Sequence, residues 1–117
     1  MDRKCEQLEE LGVDLTSVME RFMGNEALYV KFLGRFVEDE SFQNIQIQWK
    51  RGNIKEAFKE AHTLKGLLLN LGLENVMKSV MPITEQLRQG ELEGIEELLE
   101  QARREYEILL NIIGENT

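Results

Sequence analysis

Apolar residues along this chain recur at steps of three and four rather than in alternation, a period that predicts helix throughout. The clearest stretch comes last: Leu92, Ile95, Leu98, Leu99, Ala102, Tyr106, Leu109 and Ile113 fall on one stripe, which predicts a helix over 91–113. Upstream, Ile54, Ala57, Phe58, Ala61, Leu64, Leu68 and Leu71 share one face of a helix over 53–71, capped by Asn53 and stopped at Gly72. Another helix is predicted over 73–89, stopped by Gly90. Before these, Leu28, Phe32, Phe36, Phe42, Ile45 and Trp49 predict the inward face of a helix over 25–50, capped by Asn25 and bent near Glu38–Ser41. Two short amphipathic pieces, 2–11 closed by Gly12 and 14–22 capped by Asp14, precede it.

Short connections between long amphipathic helices favour antiparallel neighbours. The predicted fold is therefore all-α: an up-down antiparallel four-helix bundle with the short N-terminal helices packed against it. Residues 1–117 have the length of a single domain with one core. Pro82 falls inside the 73–89 helix, where it removes the hydrogen bond to the Lys78 carbonyl and reads as a tolerated kink. Met77, Met81 and Trp49 read as core residues rather than cofactor contacts.

Charge and composition then narrow the function. Twenty-two acidic against fourteen basic residues give a formal net charge of -8, a field that repels phosphate backbones and anionic lipid. Nucleic acid and membrane are thus poor partners. No apolar run approaches the roughly 20 residues of a membrane span, and Met1–Glu6 lacks the apolar core of a signal peptide. The cytoplasm is the expected location. Cys5 is the only cysteine, so no internal disulfide can form, and no metal-ligand pair, Gly-rich phosphate loop or nucleophile elbow is present. The acidic run from Glu91 to Glu100 reads as the solvated side of the last helix.

His62 is the only histidine. It falls about 120° from the centre of its helix's apolar face, alongside Lys55, Lys59, Gly66 and Leu69, and should be accessible. Lys65, three residues on, places an ammonium beside anything attached to the imidazole. Gly66, four residues on, costs the helix about 0.8–1.0 kcal/mol relative to alanine. Its position on the outer side favours an open approach for a partner over close helix packing. Lys55, Lys59 and Lys65 make this helix locally basic, either as a solvated face or as a complement to an acidic partner pocket.

The segment His62-Thr63-Leu64-Lys65-Gly66, followed by Asn70-Leu71-Gly72, resembles the signature of histidine phosphotransfer (HPt) domains. The resemblance runs from about residue 12 to 112. It implies a four-helix carrier in two-component phosphorelays, without a kinase domain of its own. His62 would accept a phosphoryl group on its outer ring nitrogen from the phosphoaspartate of a receiver domain and pass it to another receiver. Lys65 would steady the phosphoryl oxygens, and Gly66, Lys59, Lys55 and Leu69 would form the receiver-docking face. No cofactor of its own is implied; Mg²⁺ and the acidic pocket would sit on the receiver. The implied partners are response-regulator receiver domains and a hybrid histidine kinase, met by a monomer.

The chain departs from the family pattern in two places. Leu67-Leu68-Leu69 stands where small residues are usual, which makes the docking face bulkier. A Gln or Glu that orients the imidazole in many members is replaced, on an ungapped count, by Thr84, with Gln86 two residues on. Both are candidates for that role. The rival reading is a helical adaptor that binds receivers or other signalling proteins without being phosphorylated. An enzyme using His62 as general base is weaker, since no carboxylate partner is visible.

Overall fold

The computed structural model describes residues 3–115; Asp2, expected in the first helical piece, lies outside them. The helices are α1 (Arg3–Glu10), α2 (Leu15–Arg21), α3 (Glu26–Glu38), α4 (Ser41–Lys50), α5 (Ile54–Leu71), α6 (Glu74–Gln89) and α7 (Ile95–Glu115), with no strand among the described residues. The fold is all-α. α3 and α4 together form one member of a four-helix bundle; α4 packs on α5, α5 on α6, α6 on α7, and α3 closes the ring against α7 and α5. Of the short N-terminal helices, α1 lies on α7 and α2 on α5.

The expected helix over 25–50 is broken in two. Asp39 is extended, with φ -69° and ψ 133°, and its Oδ1 accepts the Ser41 N–H at 2.8 Å. A short side-chain acceptor offers the backbone an alternative to the helical ladder, and here it ends α3 and starts α4. The stripe that α3 buries is Tyr29, Leu33 and Phe36. Phe36 is buried as expected, but Tyr29 and Leu33 take the inward places expected for Leu28 and Phe32, which leaves Leu28 37 % exposed. Phe32 and Trp49 are half-buried, while Phe36, Phe42 and Ile45 lie in the core.

α7 starts later than the sequence pattern suggests. Glu91–Gly94 forms a turn instead, and the Gln86 side-chain Nε2 donates to the carbonyls of Glu91 and Glu93 at 2.9 and 2.8 Å. Leu92 sits on this turn, 39 % exposed, rather than on the helix stripe. Ile95, Leu99, Ala102, Tyr106, Leu109 and Ile113 are buried, and Leu98 is half-buried. α6 continues through Pro82. Met81 beside it is 44 % exposed rather than core.

Both ends of α5 are fixed locally. At its start the Asn53 carbonyl accepts the Ala57 N–H, while the Asn53 amide donates to Gln48 Oε1 instead of capping the helix. At its end Gly72 adopts φ +72° and closes a Schellman motif: Gly72 N–H donates to Leu69 O and Leu73 N–H to Leu68 O. A Cβ at Gly72 would collide with Val18 Cγ2 of α2, so glycine is required twice over, by conformation and by contact.

The last carbonyls of α5 find partners on α2 and α3. Arg21 Nη1 donates to Leu69 O at 2.6 Å and to Asn70 O at 3.0 Å. The buried Tyr29 hydroxyl donates to Leu71 O at 2.7 Å. Burial, joined by the charge of Cys5 and opposed by that of Arg21, pushes the Tyr29 phenol well above its ordinary value. Tyr29→Phe would leave the Leu71 carbonyl buried without this donor, a loss of about 1–3 kcal/mol. Urea unfolding should show a lower midpoint at unchanged slope; an unaltered midpoint would mean that the bond contributes nothing.

Candidate functional site

The buried positions of α5 are Ala57, Ala61, Leu64, Leu68 and Leu71, spaced by four, three, four and three. That spacing locks the rotation of the helix. His62 follows Ala61 directly, about 100° around the axis, and is exposed. The face it shares is formed by Lys55, Lys59, Thr63, Gly66 and Leu69, all exposed, with Leu69 at 50 %.

One turn before His62, Phe58 stacks on the imidazole, with ring centroids 6.0 Å apart and planes inclined by 28°. Phe58 is half-buried and packs against the core. One turn after His62, a Cβ built on Gly66 meets nothing within 4 Å. Gly66 is therefore not there to admit a neighbouring helix; the space beside the imidazole opens to solvent.

Lys65 is half-buried and lines an open cleft of about 510 Å³ between α5 and α6, together with Lys78, Met81, Pro82, Thr84 and Glu85. Arg88 forks onto the Glu85 carboxylate, and Gln89 Nε2 donates to it at 2.9 Å. The Arg88 hydrogen bond, opposed by some desolvation and helped by Gln89 and by the charges of Arg88 and Lys65, holds the Glu85 carboxyl below the usual range. Lys65 thus lies within the field of a fixed carboxylate. Lys59 has a counter-ion of its own, Glu56 Oε1 at 3.3 Å, in an exposed pair of small energetic weight. The basic face is less concentrated than three lysines would suggest.

The two residues considered for orienting the imidazole are engaged elsewhere. Thr84 is buried and its hydroxyl donates to Val80 O at 3.0 Å, within its own helix. Gln86 ties down the α6–α7 turn through Glu91 and Glu93. Phe58, which the apolar wheel places on the core face, is the side chain that meets His62. Its spacing of four from His62 was the available signal. Glu85 could not be singled out in the same way, because its place opposite Lys65 depends on the register between α5 and α6.

A family model described as the Hpt domain matches residues 31–112, from α3 through α7. This is well over half of the chain, and the chain belongs to that family. No curated protein and no solved structure matches it. Hpt domains are helical bundles that serve phosphotransfer in phosphorelays, working with receiver domains and kinases as phosphocarriers without kinase activity. α1, α2 and the first turns of α3 lie outside the matched span. No helix among the described residues is long and apolar enough to cross a membrane.

The Glu85 arrangement is open to titration. A depressed carboxyl pKa means that the charged pairing holds at neutral pH and is lost only as pH falls through a value below the ordinary 4.5. Arg88→Ala should raise the Glu85 midpoint toward 4.5 in an NMR titration of its side-chain carboxyl. An unmoved midpoint would show that the fork does not hold Glu85.

Proposed function

We propose that the chain carries a phosphoryl group on His62, taking it from the phosphoaspartate of one receiver domain and giving it to the aspartate of another. The observation that supports this most is the exposed His62 one turn from the open space at Gly66, with Lys65 three residues on along the same helix. The neutral imidazole attacks phosphorus through its outer nitrogen, Nε2. The N–P bond forms as the acyl P–O bond breaks, the receiver carboxylate leaves with the electron pair, and the Nδ1 proton passes to water. The return step reverses this on a second receiver.

Such a transfer depends on in-line positioning and charge stabilisation more than on covalent help from the carrier. Lys65 offsets the charge that arrives with the phosphoryl oxygens. Gly66 and its neighbours Lys55, Lys59 and Leu69 make room for and receive the docking partner, whose own pocket supplies the acidic groups and the Mg²⁺. The working context of this reading is a cytoplasmic relay in which a monomer meets receiver domains and a hybrid histidine kinase. The half-exposed Leu69 favours one rival, an adaptor that docks receivers without taking up phosphate.

Transfer from a receiver domain charged with acetyl phosphate separates the two. His62→Gln should accept nothing while its stability stays within about 0.5 kcal/mol of the parent. Gly66→Gln should melt higher, by up to about 1 kcal/mol, yet accept phosphate on the order of 100-fold more slowly. Label on His62→Gln would move the acceptor elsewhere. A Gly66→Gln chain that transfers at the parental rate would remove access as the reason for that glycine.

A further inference from the structure

The imidazole of His62 must present more than an accessible nitrogen. The Nε2 lone pair lies in the ring plane, so the phosphorus and its leaving oxygen have to line up within that plane for an in-line transfer. Something must hold the plane. Thr84 and Gln86 direct their hydrogen bonds to Val80, Glu91 and Glu93. The contact that the imidazole does make is with Phe58, at 6.0 Å between centroids and 28° between planes, close to an offset stack.

Phe58 suits that role because it is itself fixed. It is half-buried against the core, one helical turn from His62, so its ring offers a platform tied to the bundle rather than to a loop. Rotating the imidazole about its Cβ–Cγ bond would break the stack and swing the lone pair away from its original direction.

We infer that Phe58 is a positioning residue for phosphoryl transfer: by stacking on His62 it sets the imidazole plane, and with it the direction from which a docked donor can react. This rests on the phosphotransfer reading of His62 and adds to it what aligns the acceptor. A receiver domain docks as a rigid body and cannot adjust to a wandering ring. A small donor such as phosphoramidate, which loses ammonia as its phosphorus bonds to Nε2, approaches from whatever direction the ring offers. Loss of the stack therefore slows the first donor and spares the second.

The test compares Phe58→Leu and Phe58→Met, which keep an apolar side chain but remove the ring, with Phe58→Tyr, which keeps the ring. Each chain is given phosphoramidate and, separately, a receiver domain charged with acetyl phosphate, chosen from a panel as the fastest donor to the parent. His62 ring-proton shifts are read by NMR. In the two aliphatic variants the ring protons should lose the upfield shift due to the aromatic neighbour. Transfer from the receiver should fall about tenfold or more while the phosphoramidate rate stays within about twofold. Phe58→Tyr should restore both the shift and the receiver rate. Equal slowing with both donors would reveal a merely structural role, and parental receiver rates without the stack would overturn the inference outright. A parent chain that accepts from neither donor would remove the phosphotransfer reading and this inference with it.

Discussion

Burial of one narrow stripe of α5 governs the arrangement of everything around it. Leu64, Leu68 and Leu71 continue the line begun by Ala57 and Ala61, and all five are sealed between the neighbouring helices. Burying each leucine contributes roughly 1.5–3 kcal/mol. Turning α5 far enough to bring His62 inward would expose this stripe, whereas the glycine at 66 costs the helix only about 1 kcal/mol. Leucine burial outweighs the glycine. His62, Gly66 and Leu69 stay outside because the leucines must be inside, and the chemistry of the outer face is fixed by packing it does not share.

The same helix is anchored at its C-terminal end by residues outside the span that matches the family. Arg21 and Tyr29 hydrogen-bond the carbonyls of Leu69, Asn70 and Leu71, and Val18 occupies the space that a side chain at Gly72 would need. The Leu71 carbonyl is buried, where lacking a donor would be costly, while those of Leu69 and Asn70 are exposed. Donors from α2 and the start of α3 meet all three, so these two helices clamp the C-terminal end of α5. The clamp sits at Leu69–Leu71, two turns beyond His62, and leaves the face around Gly66 open.

The bundle and the histidine face are legible in the sequence because both follow from a period of 3.6 residues on helices with strong stops. What stays hidden comes from interactions that a wheel does not contain. Asp39 splits a helix by capturing the Ser41 N–H, and Gln86 holds a turn that delays α7 and strands Leu92. Periodicity places Phe36 correctly but starts the stripe of α3 one residue early at Leu28 and Phe32; Tyr29, with its hydroxyl drawn to Leu71, and Leu33 are the residues that go in. At the site, His62, Lys65 and Gly66 lie on one helix and can be placed together from sequence. The surroundings of the imidazole and of Lys65 depend on rotamers and on the register between helices. The wheel puts Phe58 with the core although it also reaches His62, while the hydrogen bonds of Thr84 and Gln86 divert both from the orienting role that their positions suggest.

The proposed function needs His62, held outside by the packing of α5, to be the phosphoryl acceptor. Its most direct measurement is the intact mass of the chain after incubation with a phosphorylated receiver domain, repeated after brief acid and after base. One phosphoryl group should be added, lost in acid and retained in base, with fragmentation placing it on the peptide that contains His62. A chain that binds the receiver yet gains no mass, or whose added phosphate survives acid, would contradict it.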